Sequence, residues 1–206
     1  MDLTFYERLK LELSEEKPFF LNEMKTLFIV SLEDGIASGL ETAYQFVKYI
    51  NPDIEIRLHK ADGFSMKRGD VLLSLIGMSH QTFALAKIIV RIISRMSGIA
   101  TLANHYVNKL SPSKVLDAHF YTPGIKSIEK QALLHGGVID LEFRYVSKEE
   151  IKLLGGLEQV YHKLKDEEVI LCYEIVNLTD FYDILRLDLN INYLMLTGFN
   201  DDQLKQ

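Results

Sequence analysis

The stretch Ser94–Lys126, SRMSGIATLANHYVNKLSPSKVLDAHFYTPGIK, is where the chain changes rhythm. It contains the end of a long apolar helix, a Ser111-Pro112 stop, a short strand at Val115–Ala118, and a Thr122-Pro123-Gly124 turn that restarts the chain. Proline after the last periodic residue ends a helix because it lacks the N–H and clashes with the preceding turn. Before this stretch the pattern is strand, helix, strand, turn, strand. After it, short apolar runs alternate with helical periods. The first pattern predicts a small α+β sandwich and the second a parallel sheet of β/α units.

Upstream, Leu3, Tyr6, Leu9 and Leu13 fall on one face of a helix over residues 2–16, which Pro18 ends. Residues 26–30 read as a strand. Leu40, Ala43, Phe46, Val47 and Ile50 have helical spacing, and Asn51-Pro52 stops that helix. Ile54, Ile56 and Leu58 alternate with polar residues as in a strand with one wet face. Another strand spans Val71–Ile76. Ser79 is read as the N-cap of a helix carrying Phe83, Ile88, Ile89, Ile92 and Met96. That helix is apolar on more than one side, which suits burial between layers or at a subunit interface. Gly98 is read as a packing glycine or a break. Downstream, helices are predicted over 125–135, 156–165 and 178–185. Strands are predicted over 115–118, 138–145, 169–175 and 193–196. Four strands fall short of an eight-stranded barrel. The reading therefore divides the chain into residues 1–110, an N-terminal α/β sandwich domain with its hinge helix, and 111–206, a partial β/α barrel.

Composition narrows the function classes. The chain of 206 residues is 48% hydrophobic and 25% charged, ordinary for a globular protein. Its net charge of −6, from 23 basic against 29 acidic residues, argues against a broad nucleic-acid surface. The longest apolar run, Phe83–Ile93, is interrupted by Lys87 and Arg91 and is too short to span a bilayer. The charged N-terminus does not read as a signal peptide. A single Cys172 permits no internal disulfide. The expectation is a cytoplasmic protein that binds neither nucleic acid nor membrane.

Arg95-Met96-Ser97-Gly98-Ile99-Ala100-Thr101, followed by Leu116-Asp117 and Thr122-Pro123-Gly124, resembles the hinge of the quinolinate phosphoribosyltransferase family (nicotinate-nucleotide pyrophosphorylases) and of ModD-like proteins. Further similarity lies in Asp34–Leu40, Lys60–Gly63, Lys67–Leu72, Glu129–Ala132, Gly136-Gly137, Tyr173–Leu178 and Leu194–Leu196. The resemblance implies an α/β fold: an N-terminal α+β sandwich domain followed by an incomplete, open parallel β/α barrel, ending at Gln206 before the family's last two barrel strands. It also implies a dimer in which one subunit's sandwich covers its partner's barrel.

The family's chemistry belongs to NAD biosynthesis. It joins a pyridine dicarboxylate to phosphoribosyl pyrophosphate (PRPP), a pentosyl transfer. Such a reaction needs several Arg and Lys side chains for two polyanionic substrates, and carboxylates that hold Mg²⁺. Where the family's first barrel strand reads Asp-Thr-Arg-Lys-Thr, this chain has Asp117-Ala118-His119-Phe120-Tyr121. An arginine of the next helix is replaced by Leu134, and the His-Arg after the glycines by Leu141-Glu142. The Ile-Lys-Asp-Asn-His strand appears as Val146–Glu150, and the aspartate of the fourth strand as Thr197. The remnant pocket candidates are Arg95, His119, Tyr121, Thr122, Lys126 and Glu174. Arg95 reads either as reaching into a partner's pocket or as satisfying helix-end carbonyls. His119 reads either as a ligand-facing residue or general base or, the favoured reading, as half-buried packing beside Phe120 and Tyr121. The remaining histidines show no ligand spacing, so the expectation is no metal and no cofactor.

With the cationic grip lost, the resemblance implies a pseudoenzyme that acts as a homodimer or with a paralogue. The alternative is a phosphoribosyltransferase with altered specificity for a pyridine or nucleobase-like substrate, which would require Mg²⁺.

Overall fold

A computed structural model describes residues 3–15, 23–166, 168–186 and 191–204. The chain separates into two compact units, residues 1–140 and 141–206.

In the first unit, α1 (Leu3–Glu15) precedes β1 (Met24–Val30), β2 (Gly35–Ile36), α2 (Leu40–Ile50), β3 (Glu55–Leu58), β4 (Ser65–Met66), β5 (Val71–Met78), α3 (Ser79–Lys109) and α4 (Lys126–His135). β5 is the centre of an antiparallel sheet of order β1-β5-β3, and β2 and β4 form a separate two-stranded ribbon. The strand β5 is apolar almost throughout, and Leu72, Leu73 and Leu75 are buried. Helices α1, α2 and α3 pack together, with Tyr6, Leu9, Phe46, Val47, Ile88, Ile89, Ile93 and Met96 joining the sheet residues in one core. Each such side chain contributes about 1.5–3 kcal/mol relative to exposure. This is the expected α+β sandwich.

α3 is the spine of the unit. The expected break at Gly98 is absent, and the helix is continuous through it. A Cβ added at Gly98 would meet nothing within 4 Å, so it is not a packing glycine either. Ser79 is the first helical residue rather than the cap; Met78 occupies the N-cap position without a side-chain hydrogen bond. Two polar residues in the middle of α3 secure the β2 segment. Thr101 Oγ1 accepts from the Ile36 N–H at 2.9 Å. Ser97 Oγ accepts from the Ser38 N–H at 3.0 Å and donates to the Ser38 carbonyl at 3.1 Å.

After α3 the chain crosses Ser111-Pro112 and returns along it. Leu116 and Ile139 form one parallel bridge. α4 packs on α3, where Gly136 comes so close that a Cβ would lie 2.6 Å from the Ala100 carbonyl oxygen. The division expected at 110/111 follows the change from helix to strand–helix alternation. The compact units divide after Asp140, because α4 shares the core of the first unit through Ile128 and Ala132.

The second unit holds β6 (Arg144–Val146), α5 (Lys148–Leu153), α6 (Leu157–Leu164), β7 (Leu171–Ile175), α7 (Leu178–Arg186), β8 (Tyr193–Leu196) and α8 (Asp201–Leu204). Its strands form a parallel sheet of order β6-β7-β8. Val146, Val160, Leu164, Leu171 and Tyr173 make a separate, smaller core. These are the expected parallel β/α units, in an open sheet. Two details differ from expectation. The strand expected over 138–145 is reduced to the Ile139 bridge and the later, shorter β6. Of Val146–Glu150 only Val146, the last residue of β6, is in a strand: Ser147 Oγ accepts from the Glu150 N–H at 3.1 Å and caps α5, so the chain turns into a helix at Lys148. Asp2, Glu16 and the predicted stop at Pro18 lie outside the described residues.

Candidate functional site

The hinge places five of the six expected residues in the first unit. Arg95, on α3, donates through its guanidinium to the Glu129 carboxylate and to Thr122 Oγ1, the latter at 3.2 Å. Glu129, on α4, is buried and also accepts from the Thr122 N–H at 2.6 Å and from Thr122 Oγ1 at 2.8 Å. Burial pushes the Glu129 carboxyl up, but the Thr122 N–H and the Arg95 guanidinium outweigh it and hold it below the usual range. The clamp ties α3, the Thr-Pro-Gly turn and α4 together. Arg95 thus satisfies a carboxylate of its own chain rather than helix-end carbonyls. Glu129 is the partner that its sequence position alone did not reveal.

His119 and Tyr121 belong to a second cluster around Asp117. His119 stands in the left-handed backbone region, φ 61, where its N–H donates to Asp117 Oδ1 at 2.9 Å. The Tyr121 hydroxyl donates to Asp117 Oδ2. Burial and the adjacent carboxylate push the Tyr121 phenol up, so it stays a donor. Asp117 is only 3% exposed. Across the Leu116–Ile139 bridge comes Asp140, whose Oδ2 pairs with Lys130 at 2.7 Å and whose Oδ1 lies 3.6 Å from His119 Nε2. Hydrogen bonding to Lys130 holds the Asp140 carboxyl low. His119 is half-buried and stacked on the Tyr121 ring, as expected from its aromatic neighbours, and it is also part of a polar cluster. Lys126 Nζ sits 5.5 Å from the centre of the Tyr121 ring, a cation–π contact.

Glu174 lies in the second unit, on β7. Its Oε2 accepts from the Lys148 N–H at 3.0 Å. That bond, with those from Tyr145 and Thr197, holds the Glu174 carboxyl low. Burial, then Glu174 itself, pushes the Tyr145 phenol up. The acid is thus surrounded by protein donors, with a threonine where the resemblance calls for an aspartate. These residues do not fit a Mg²⁺ pair, which needs carboxylate oxygens left open to the ion. Cys172, two residues earlier on β7, is buried, and burial pushes its thiol up, as expected of an inert cysteine.

An antiparallel sheet with its helices, followed by parallel β/α units after a long central helix, is the fold of the nicotinate-nucleotide pyrophosphorylases. The enzyme from Ehrlichia chaffeensis superposes with a TM-score of 0.88, covering 100% of this chain and 79% of that one at 17% identity. NadC from Streptococcus pyogenes superposes with a TM-score of 0.82, covering 100% and 80% at 18% identity. In sequence, the chain is 27% identical over 110 residues to the chloroplastic nicotinate-nucleotide pyrophosphorylase of Arabidopsis thaliana, 53% of this chain and 32% of that protein. It is 30% identical over 111 residues to the probable nicotinate-nucleotide pyrophosphorylase of Bacillus subtilis, 53% of this chain and 38% of that protein. The match spans about a third of the length of these curated relatives. No family model matches the chain. Among the described residues, no helix is long and apolar enough to cross a membrane.

Proposed function

We propose that this chain is a non-catalytic protein on the quinolinate phosphoribosyltransferase scaffold, acting by association with a second copy or a paralogue. The observation that carries the reading is the fate of the cations at the hinge. Arg95 is paired with Glu129, Lys130 with Asp140, and Lys126 lies on the Tyr121 ring. The Asp117 carboxylate stands among them. A doubly charged pyridine carboxylate and a pyrophosphate need several cations facing them; here His119, Phe120, Leu134 and Leu141-Glu142 stand where the resemblance calls for cations, and the hinge cations that remain are held by the chain's own groups. Losing one charge-assisted contact of this kind costs about 2–5 kcal/mol, and the sequence has lost several.

Association is supported by an apolar groove of about 820 Å³ between β1 and α3, lined in part by Phe28, Val30, Leu32, Val90 and Leu102. Phe28 is 59% exposed and Leu32 75%. Contiguous apolar surface of this kind marks interaction sites.

Two measurements test the proposal. Calorimetry with millimolar PRPP, Mg²⁺ and quinolinate should give no saturable heat, and light scattering should give a mass of at least two chains. Saturable heat would transfer the case to the altered-specificity enzyme. A strictly monomeric chain, alone and when mixed with a paralogue, would sink the association arm.

A further inference from the structure

We propose that Asp117, His119 and Asp140 form a binding site for a divalent transition-metal ion of the zinc type. One ligand atom from each of the three residues lies within 4.8 Å of the others. The set of one imidazole nitrogen and two carboxylate oxygens suits zinc and its neighbours in the first transition row.

The geometry between His119 and Asp140 points to an ion. Asp140 Oδ1 is closed off from solvent and takes no hydrogen bond. His119 Nε2 stands 3.6 Å from it, beyond hydrogen-bond range. Two ligands at about 2.0–2.1 Å from a tetrahedral zinc ion are themselves about 3.3 Å apart. The observed gap is close to that between two ligands of one ion.

The outer partners are also in place. Asp140 Oδ2 is held by Lys130 at 2.7 Å, leaving Oδ1 to face the site. The Tyr121 hydroxyl holds Asp117 Oδ2, and the His119 N–H binds Asp117 Oδ1, an oxygen with a second lone pair to offer. Metal-ligating carboxylates are commonly fixed in this way. Lys130 lowers the affinity by its charge while orienting the carboxylate. His119 takes its place beside the other two residues with a left-handed backbone, φ 61. The proposal does not depend on the absence of catalysis and needs neither PRPP nor quinolinate.

Tag-free protein is dialysed against zinc chloride and the bound metal measured. The expected result is one equivalent per chain, with affinity lowered at least about tenfold in His119→Ala and Asp140→Asn, and also lowered in Tyr121→Phe. Circular dichroism checks that the variants fold. Independently of any variant, cobalt(II) added to the unmodified chain should give the intense visible bands of a four- or five-coordinate ion. Absence of stoichiometric zinc, equal binding by folded variants, or a cobalt spectrum identical to that of the aqua ion overturns the assignment.

Discussion

Within one chain, Arg95 and Glu129 form a brace between α3 and α4. The carboxylate is buried and the guanidinium half-exposed, so the cost of breaking the pair falls mainly on Glu129. Glu129→Gln keeps the shape and removes the charge; it should lower stability by about 1–3 kcal/mol in urea unfolding. The pH dependence has a fixed sign. The folded-state pKa of Glu129 is depressed, so its contribution is complete above the ordinary glutamate range and is lost as pH falls through the folded value. The urea midpoint of the unmodified chain should therefore fall on acidification below about pH 4.5 more steeply than that of Glu129→Gln. Equal slopes would show that the brace carries no linkage. Arg95, His119, Tyr121, Thr122 and Lys126 could be picked out of the sequence because they fall in one short stretch around the hinge. Their partners could not. Glu129 is a helix turn and a half past the Thr-Pro-Gly turn, and Asp140 meets His119 only because Leu116 and Ile139 pair in parallel. That kind of proximity leaves no mark on residue spacing.

At the level of elements, Gly98 and Gly136 behave in opposite ways. Gly98 is an exposed interior position of α3 with open space where a Cβ would go. Gly136 caps α4 at its closest approach to α3, where a Cβ would lie 2.6 Å from both the Ala100 oxygen and the Ala103 Cβ. Gly98→Ala should stabilise the chain by about 0.5–1 kcal/mol through helix propensity, and Gly136→Ala should destabilise it by about 1–3 kcal/mol by forcing the helices apart. Thermal melts of the two variants check the pair; a destabilised Gly98→Ala would mean that the groove over it is tighter than the structure shows. Strong periodicity made α2, α4, α7, β1, β5, β7 and β8 legible to within a few residues. The strand expected over 138–145 failed because an apolar run carries no information about whether a neighbour is there to pair with it. The α5 start was missed because Ser147 acts through a cap, which outweighed the extended reading of its neighbours.

The molecule as a whole is two cores of unequal size. The first gathers sheet, α1, α2, α3 and part of α4; the second rests on a handful of residues around Tyr173. Stability that is not uniform shows as partial opening. In native-state hydrogen exchange, amides of β6–β8 should become exchangeable at lower denaturant than those of α3; a single shared transition would show that the two cores unfold together. Within the first unit, Ser97 and Thr101 stand one turn apart on α3, and each grips the backbone of the 36–38 segment. Two rivets remove the freedom to pivot that one would leave. Helix and ribbon are thus fastened side by side, and because Ser97 and Thr101 also line the apolar channel along α3, an occupant of that channel would press on the rivets themselves.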